Sequence, residues 1–468
     1  CPARHERLSA ALCPASYAAG GGVNRLRRRM SFSQASFLAF LLLILVGTGA
    51  LMLPVSTRPG RVTQLTDALF TATSAVCVTG LSVVDTYTHW SLVGQLVILL
   101  LIQVGGLGLM ILVIGAFSVL GKRIGLQERA YLRDSTGSAS LSGMVVLVKH
   151  ILLYSGVIEA VGTAFLAIRF VPQFGIWRGL YMAMFHAITS FTHAGLDLMG
   201  IRQPFSSMSA YVDDPLVLLT MVALITLGGL GFIVWEDLVR YRLRWQHWSL
   251  QTNIVLVTNT FLLLGGMVCL YVFEADASMA GMPVWQRLVV SLFYSASART
   301  ASFHLLDPAR LTSASSLLMA GLMLIGGSPG SMAGGIKTTT FFVLVMALVQ
   351  FTSGQPDVVV FRKRIDKTAL HRATVIATLY LLLVAVFSVL ISAVERLPVM
   401  PVVHEVISAL ATVGFSTGIT ANLDTFSRIC LVILMFVGRL GGFTLMALFG
   451  FGRRIAGLQR PEEQVLIG

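Results

Sequence analysis

Four short loops recur along the chain at nearly even spacing, each after a short apolar stretch and before a long one. They read Val76-Cys77-Val78-Thr79-Gly80-Leu81, Thr192-His193-Ala194-Gly195-Leu196, Arg299-Thr300-Ala301-Ser302-Phe303 and Thr412-Val413-Gly414-Phe415. With Gly80, Gly195, Ser302 and Gly414 matched, the gaps are 115, 107 and 112 residues. Self-similarity at a steady interval marks a chain built from copies of one unit.

Composition says where such a chain resides. Of 468 residues, 56% are hydrophobic and 12% are charged, and mean hydropathy is +0.82. Soluble domains carry about 25% charged residues, so an integral membrane protein is expected. Apolar runs of about 20 residues suit spanning helices, and the alternation of a membrane barrel is absent. No soluble-looking segment is long enough for a separate catalytic domain. Net charge is +13, but the basic residues gather in short segments between apolar runs. That pattern points to membrane topology and anionic lipid headgroups rather than nucleic acid. The five cysteines are scattered and odd in number, suggesting neither a disulfide framework nor a zinc site.

Hydropathy divides the chain into four units, each a long helix, a shorter apolar segment, one loop and a second long helix. Helices are expected near 33–54, 64–75 and 90–121 in unit 1 (33–133), and near 143–170, 179–191 and 214–241 in unit 2 (134–247). Unit 3 (248–362) has 250–273, 284–298 and 312–351, and unit 4 (363–452) has 368–395, 401–411 and 425–451. The short segments cannot cross a bilayer, which suits re-entrant pore helices. The expected fold is therefore all-α: four tandem helix–pore-helix–filter-loop–helix units around one pore. Residues 1–32 are expected to be a basic cytoplasmic tail, with Met30 a candidate start, and 453–468 a second tail.

Orientation follows from charge. Arg25 to Arg29, Lys122 to Arg133, Arg240 to Arg244, Arg362 to Arg372 and Arg453 to Arg460 fall on the side where units join. Lys and Arg favour the cytoplasm, so both termini are expected inside, with the loops opening outward across a plasma (cell inner) membrane. The loop side carries Asp67, Asp85, Asp197, Asp213, Asp214, Glu274, Asp276, Glu395, Glu405 and Asp424, which would concentrate cations at an outer mouth. Scattered arginines on that side, including Arg58, Arg169, Arg202, Arg310 and Arg428, depart from the rule.

A cation entering a pore loses water and needs oxygen ligands aimed at the axis. In potassium channels four similar loops supply backbone carbonyls for this, and glycine permits the positive φ that such turns demand. The candidate ligands are Val78, Thr79 and Gly80; His193, Ala194 and Gly195; Thr300, Ala301 and Ser302; and Thr412, Val413 and Gly414. The metal positions proper are Gly80, Gly195, Ser302 and Gly414. Pore helices would turn their negative C-terminal ends toward the cavity. Arg299 is read as a support behind its loop, since a cation lining the path would repel the ion. Glu159, Asn253 and Asn259 are read as helix-packing groups.

A second element interrupts the run 312–351. From Gly326 to Thr340 it holds Gly326, Gly327, Gly330, Gly334, Gly335 and Pro329, with Ser331 and Lys337 among them. Such a stretch cannot hold a regular helix, and irregular backbone at membrane depth survives only inside protein or against water. It is expected in the pore beneath the loops, able to block and to move. Close helix packing through Gly326, Gly330 and Gly334 is the alternative. Arg439 is the only charge between Cys430 and Gly450, and a buried arginine normally faces a partner or a water-filled path.

Ser74–Leu81, Ser297–Ala301 and Thr412–Gly418 resemble the loops of the Ktr/Trk/HKT superfamily of potassium-translocating subunits, KtrB members most of all, and the likeness runs through 33–451. The resemblance implies four pore-forming units around a single pathway, like a fused potassium channel tetramer. It also implies an intramembrane loop acting as a gate and an arginine at Arg439 acting as a positive barrier below the filter. It further implies homodimers docked on a cytosolic, KtrA-like ring of nucleotide-binding regulatory subunits. Ser302 departs from the family's glycine; serine at a filter glycine in some plant HKT proteins accompanies sodium permeation. The expectation is thus the membrane subunit of a potassium uptake system passing K⁺, with Na⁺ open. No organic cofactor, phosphate loop or dinucleotide fingerprint is present in the sequence. A Na⁺-permeable or Na⁺/H⁺-coupled symporter is the alternative. An enzyme is not expected, for want of paired His ligands, an intramembrane carboxylate pair or a nucleophile–base arrangement.

Overall fold

The computed structural model describes residues 32–108, 144–242, 244–354 and 357–441. The tail expected before residue 32, the segments Lys122 to Arg133 and Arg453 to Arg460, and the tail 453–468 lie outside the described residues.

Helix order repeats the expected pattern. Unit 1 has α1 (Phe32–Met52), α2 (Leu65–Val76) and α3 (Leu92–Leu107). Unit 2 has α4 (Met144–Phe174), α5 (Ile176–Phe191), α6 (Pro215–Leu230) and α7 (Phe232–Tyr241). Unit 3 has α8 (Leu250–Glu274), α9 (Val284–Ser297), α10 (Ser313–Leu324) and α11 (Thr338–Thr352). Unit 4 has α12 (Lys367–Glu395), α13 (Val399–Leu410) and α14 (Thr425–Leu440). Side-chain caps set several helix starts: Ser91 accepts from Gly94 N, Asp214 from Leu216 and Val217 N ahead of Pro215, and Thr312 from Ser315 N. Between units 3 and 4 the all-α expectation needs a correction. Val359–Val360 and Lys363–Arg364 form a two-stranded antiparallel hairpin, β1 and β2, turned by Phe361 and Arg362 at φ 47° and 63°.

Among the described residues, the long spans of α4, α8 and α12 are apolar enough to cross a membrane. Many of their exposed residues are apolar: Leu153, Val157 and Phe165 on α4, Leu381, Val386 and Val389 on α12. A helix apolar on its outer face needs lipid, not water. The short helices are inside instead. Every residue from Phe70 to Val76 on α2, and from Glu405 to Leu410 on α13, is buried.

Packing follows one rule. Each unit's first helix lies on its own short helix: α1 on α2, α4 on α5, α8 on α9, α12 on α13. Each unit's helix after the loop lies on the next unit's short helix: α3 on α5, α6 on α9, α10 on α13, and α14 back on α2. The last contact closes a ring, and Arg428 Nη1 to Asp67 Oδ1, 2.7 Å, seals it. The other loop-side arginines are also tied down. Arg169 pairs with Asp214 at 3.0 Å, Arg310 with Asp307 at 3.4 Å, and Arg58 lies 4.1 Å over the Tyr87 ring.

The expected continuous helix 214–241 is corrected. It breaks at Gly231, and its halves, α6 and α7, meet at 98°. α3 and α14 also end at left-handed glycines, Gly108 (φ 87°) and Gly441 (φ 76°), and the rest of the expected helices, to 121 and 451, lies outside the described residues. These breaks share a pattern: Gly105-Gly106-Leu107-Gly108, Gly228-Gly229-Leu230-Gly231, Gly326-Gly327 in unit 3, and Gly438-Arg439-Leu440-Gly441. The first glycine of each set packs where a side chain has no room. A Cβ on Gly105, Gly228 or Gly438 would strike the last carbonyls of α2, α5 or α13, those of Val76, Phe191 and Leu410.

Candidate ion pathway

Three of the loops leave their short helices by the same hydrogen bond, five residues back, and the third loop by one four residues back. Thr79 N donates to Ser74 O, Ala194 N to Thr189 O and Val413 N to Ser408 O, all at 2.8 Å, while Ala301 N reaches Ser297 O at 2.9 Å. Two residues in each loop are then left-handed. The first are Val78, His193, Thr300 and Thr412 (φ 55°, 64°, 85° and 50°); the second are Gly80, Gly195, Ser302 and Gly414 (φ 93°, 60°, 56° and 85°). An ordinary strand points successive carbonyls to opposite sides. Alternating handedness turns the peptide planes so that neighbouring carbonyls face one way. A non-glycine residue in this region costs about 1–2 kcal/mol, so five such residues are held there by their surroundings.

The loops meet. A Cβ on Gly80 would lie 2.6 Å from Ala194 O of the second loop and also strike Ser302 Oγ of the third. One on Gly195 would strike Ala301 O and Ser302 Oγ, and one on Gly414 would strike Thr79 O of the first. Thr300 Oγ1 and His193 Nδ1 are hydrogen-bonded at 2.7 Å, joining loops two and three. Ser302, despite its side chain, is left-handed. Its Oγ is buried without a hydrogen-bond partner among the described residues.

Above the loops a cavity of about 470 Å³ is lined by Gly80, Gly195, Ser302 and Gly414 below and by Asp85, Asp197, His304 and Asp307 around it. Asp85 accepts from Thr88 N at 2.8 Å and Phe205 N at 3.0 Å; Asp197 accepts from Met199 N at 2.8 Å. Burial raises the Asp197 carboxyl above the usual carboxylate range, against the pull of the Met199 N–H and with Asp85 adding to the rise. Most acidic residues expected at the mouth serve elsewhere. Glu405 is buried and accepts from Ser416 Oγ, Thr417 N and Thr420 Oγ1; Glu274 accepts from Thr312 N and Ser278 Oγ; Asp67 pairs with Arg428. Of the expected ten, Asp85 and Asp197 line the cavity.

Below the loops lies the segment 325–337. It folds on itself through Ile336 N to Leu324 O (3.1 Å) and Thr338 N to Gly327 O (3.1 Å), with Gly330 and Gly335 at φ 69° and 70°. It touches every unit. Ser328 N donates to Gly229 O at 3.0 Å, and Phe232 N to Gly330 O at 2.9 Å, so the unit 2 break holds it. A Cβ on Gly334 would lie 2.8 Å from Ala411 O, directly at the fourth loop. Arg439 Nη1 donates to Met332 O at 2.6 Å, and its Nη2 to Gly105 O and Gly106 O, the latter at 3.0 Å. Arg439 thus stands where the other units carry Gly106, Gly229 and Gly327, and spans from the segment to unit 1. Lys337 Nζ turns back to Ala333 O at 2.6 Å within the segment. Ser331 Oγ bonds Ser328 O at 2.6 Å.

Arg299 points away from the loop centre. Its Nη2 donates to Asn259 Oδ1, and weaker contacts at 3.4 Å reach Asn259 O and Gly326 O. Sequence reading missed two contributors, Asn259 and the glycine breaks. The repeated Gly-Gly-x-Gly was the available signal for the breaks.

The arrangement gathers backbone carbonyls of the four loops above a segment held by an arginine. A family model described as TrkH, cation transport protein, matches residues 24–451. The potassium/sodium uptake protein NtpJ of Enterococcus hirae is 35% identical over 451 residues, covering 95% of this chain and 99% of that protein. The Ktr system potassium uptake protein B of Bacillus subtilis is 36% identical over 447 residues, covering 94% and 97%. The crystal structure of the potassium transporter TrkH from Vibrio parahaemolyticus shares the fold, with a TM-score of 0.69 at 19% identity, covering 91% of this chain and 86% of that one. These relatives are transporters rather than enzymes, and the match spans nearly the whole described chain: it belongs to the TrkH family of cation transport proteins.

Proposed function

We propose that the chain is the ion-translocating membrane subunit of a Ktr/Trk-type uptake system, passing K⁺ inward through the four loops. The observation that carries this reading is the matched pair of left-handed residues in every loop, with Gly80, Gly195, Ser302 and Gly414 facing one another. Ligands are the carbonyls of Val78 to Gly80, His193 to Gly195, Thr300 to Ser302 and Thr412 to Gly414. The segment with Gly326, Gly327, Gly330, Ser331, Gly334, Gly335 and Lys337, pinned by Arg439, is the gate. Its contacts with all four units support a blocking position. Potassium/sodium uptake by the relative NtpJ and potassium uptake by the relative Ktr protein B support K⁺, with Na⁺ as a second cargo.

In this reading the units are 33–133, 134–247, 248–362 and 363–452, with both termini cytoplasmic and the Asp85–Asp197 cavity outside. The protein works as a homodimer in a plasma membrane on a cytosolic nucleotide-binding ring. Sodium permeation is the second reading, favoured by the unpartnered Ser302 Oγ among the loops. Coupled symport is less well supported, because all four units repeat in one orientation whereas symporters favour inverted repeats.

The test is expression in cells lacking their own potassium uptake, with and without a regulatory subunit. Growth and tracer uptake are read at low K⁺, with and without Na⁺. Rescue at low K⁺ is expected. Na⁺ uptake without rescue moves the assignment to a sodium pathway, and no cation flux from protein present in the membrane overturns it.

A further inference from the structure

A buried polar chain runs from the third loop to the segment beneath it, and it passes through one side chain. Asn259 stands in α8, where it is buried. Its Oδ1 accepts from Arg299 Nη2, while its Nδ2 donates to Ser328 Oγ at 3.0 Å and to Val255 O at 2.9 Å. The amide has only one possible orientation: arginine offers donors alone, so oxygen faces Arg299 and nitrogen faces the two acceptors. Ser328 Oγ accepts in turn from Thr338 Oγ1 at 3.1 Å. On the other side, Arg299 adjoins Thr300, which bonds His193 of the second loop.

Arg299 depends on this chain. Its Nη groups reach only Asn259 and Gly326 O, and its Nε is buried without a partner among the described residues. Both partners respond to the 325–337 segment: Gly326 belongs to it, and Asn259 is fixed by Ser328. A buried guanidinium that loses partners is costly, so movement of the segment obliges Arg299, and with it Thr300 to Ser302, to readjust.

We infer that Asn259 is a positioning residue that couples the 325–337 segment to the third loop, so that ion preference depends on the state of the segment. This rests on the pore reading above. Simple helix packing by Asn259 would tie neither end to function.

The test uses the full chain in lipid vesicles, reading tracer rubidium uptake with K⁺ or Na⁺ as competitor. Wild type is compared with Ser328→Ala, Asn259→Ala and the double variant. Among the described residues, no hydrogen bond joins Ser328 to a loop residue, so a purely local role predicts altered uptake at unchanged ion preference. Coupling predicts that each single variant lowers the K⁺-to-Na⁺ preference by about threefold or more, and that the double variant falls no further than Asn259→Ala, as linked residues behave. Unchanged preference in Ser328→Ala, or losses that multiply in the double variant, would overturn it. Should Asn259→Ala not reach the vesicles folded, Asn259→Asp keeps the acceptor for Arg299, removes the Nδ2 donor and takes its place in the same cycle. Absence of any uptake by wild type would overturn the pore reading and the coupling with it.

Discussion

In the proposed pathway, ion choice is expected to turn on Ser302. It takes a left-handed backbone that glycine adopts freely, and its Oγ sits against Gly80 and Gly195 without a partner. Ser302→Gly removes both the strain and the hydroxyl. Relief of about 1 kcal/mol is offset by a similar gain in unfolded-chain freedom, so thermal unfolding should change little while K⁺ preference over Na⁺ rises in competition uptake. A fall in K⁺ preference would sink this account. Gly195→Ala should do the opposite. Its Cβ would strike Ala301 O and Ser302 Oγ at φ 60°, and rubidium uptake should drop at least about tenfold, the cost of some 1.4 kcal/mol of misplaced carbonyls. This much was legible in sequence, because a glycine in a repeated loop advertises its backbone. The five non-glycine left-handed residues were not legible: nothing in the side chains of Val78 or Thr412 signals a positive φ that only the ring imposes.

At the scale of elements, the breaks and the segment act together. Hydropathy runs unbroken from 214 to 241, so the chain reads as one helix there, although Gly231 turns it by 98°. A period of apolar residues cannot report a kink that one glycine makes. The break serves the segment, since Phe232 N and Gly229 O are its backbone partners. Gly231→Ala would drive a Cβ to 2.6 Å from Pro329 O at φ 92°, and should destabilise by about 1–3 kcal/mol, read as a lower unfolding midpoint in detergent. Arg439→Ala acts on the same element from the opposite side. It removes the donors to Met332 O, Gly105 O and Gly106 O. Charged hydrogen bonds contribute about 1.5–3 kcal/mol each where unopposed. Their loss should free the segment and raise basal uptake several-fold, and an unchanged or lower basal rate would remove Arg439 from the gate.

The whole molecule is a ring drawn in one continuous chain, and such a ring has one seam that the chain does not bridge. Units 1 to 2, 2 to 3 and 3 to 4 are joined by polypeptide as well as by helix packing. Unit 4 meets unit 1 without a chain link, through α14 on α2, Gly414 against Thr79 O and Arg439 on Gly105 O and Gly106 O, and the Arg428–Asp67 pair joins residues 361 positions apart. Arg428 and Asp67 sit at that seam, with side-chain exposures of 19% and 17%, and Arg428 Nη2 also donates to Ala421 O at 2.8 Å. An exposed ion pair is worth at most about 1 kcal/mol, whereas stripping one partner from a buried pair costs about 3–5. A half-buried pair falls between, so Arg428→Met should cost about 1–3 kcal/mol of stability. The sequence offered no hint of the pairing, because it lists Arg428 only as an arginine on the wrong side of the membrane. The specific outcome expected is asymmetry. Arg428→Met should lower both the unfolding midpoint and rubidium uptake, since α2 carries the first loop. Removing the more exposed Arg310–Asp307 pair, which joins no two units, should leave both unchanged. Equal effects from the two pairs would mean that the seam is held by apolar packing alone.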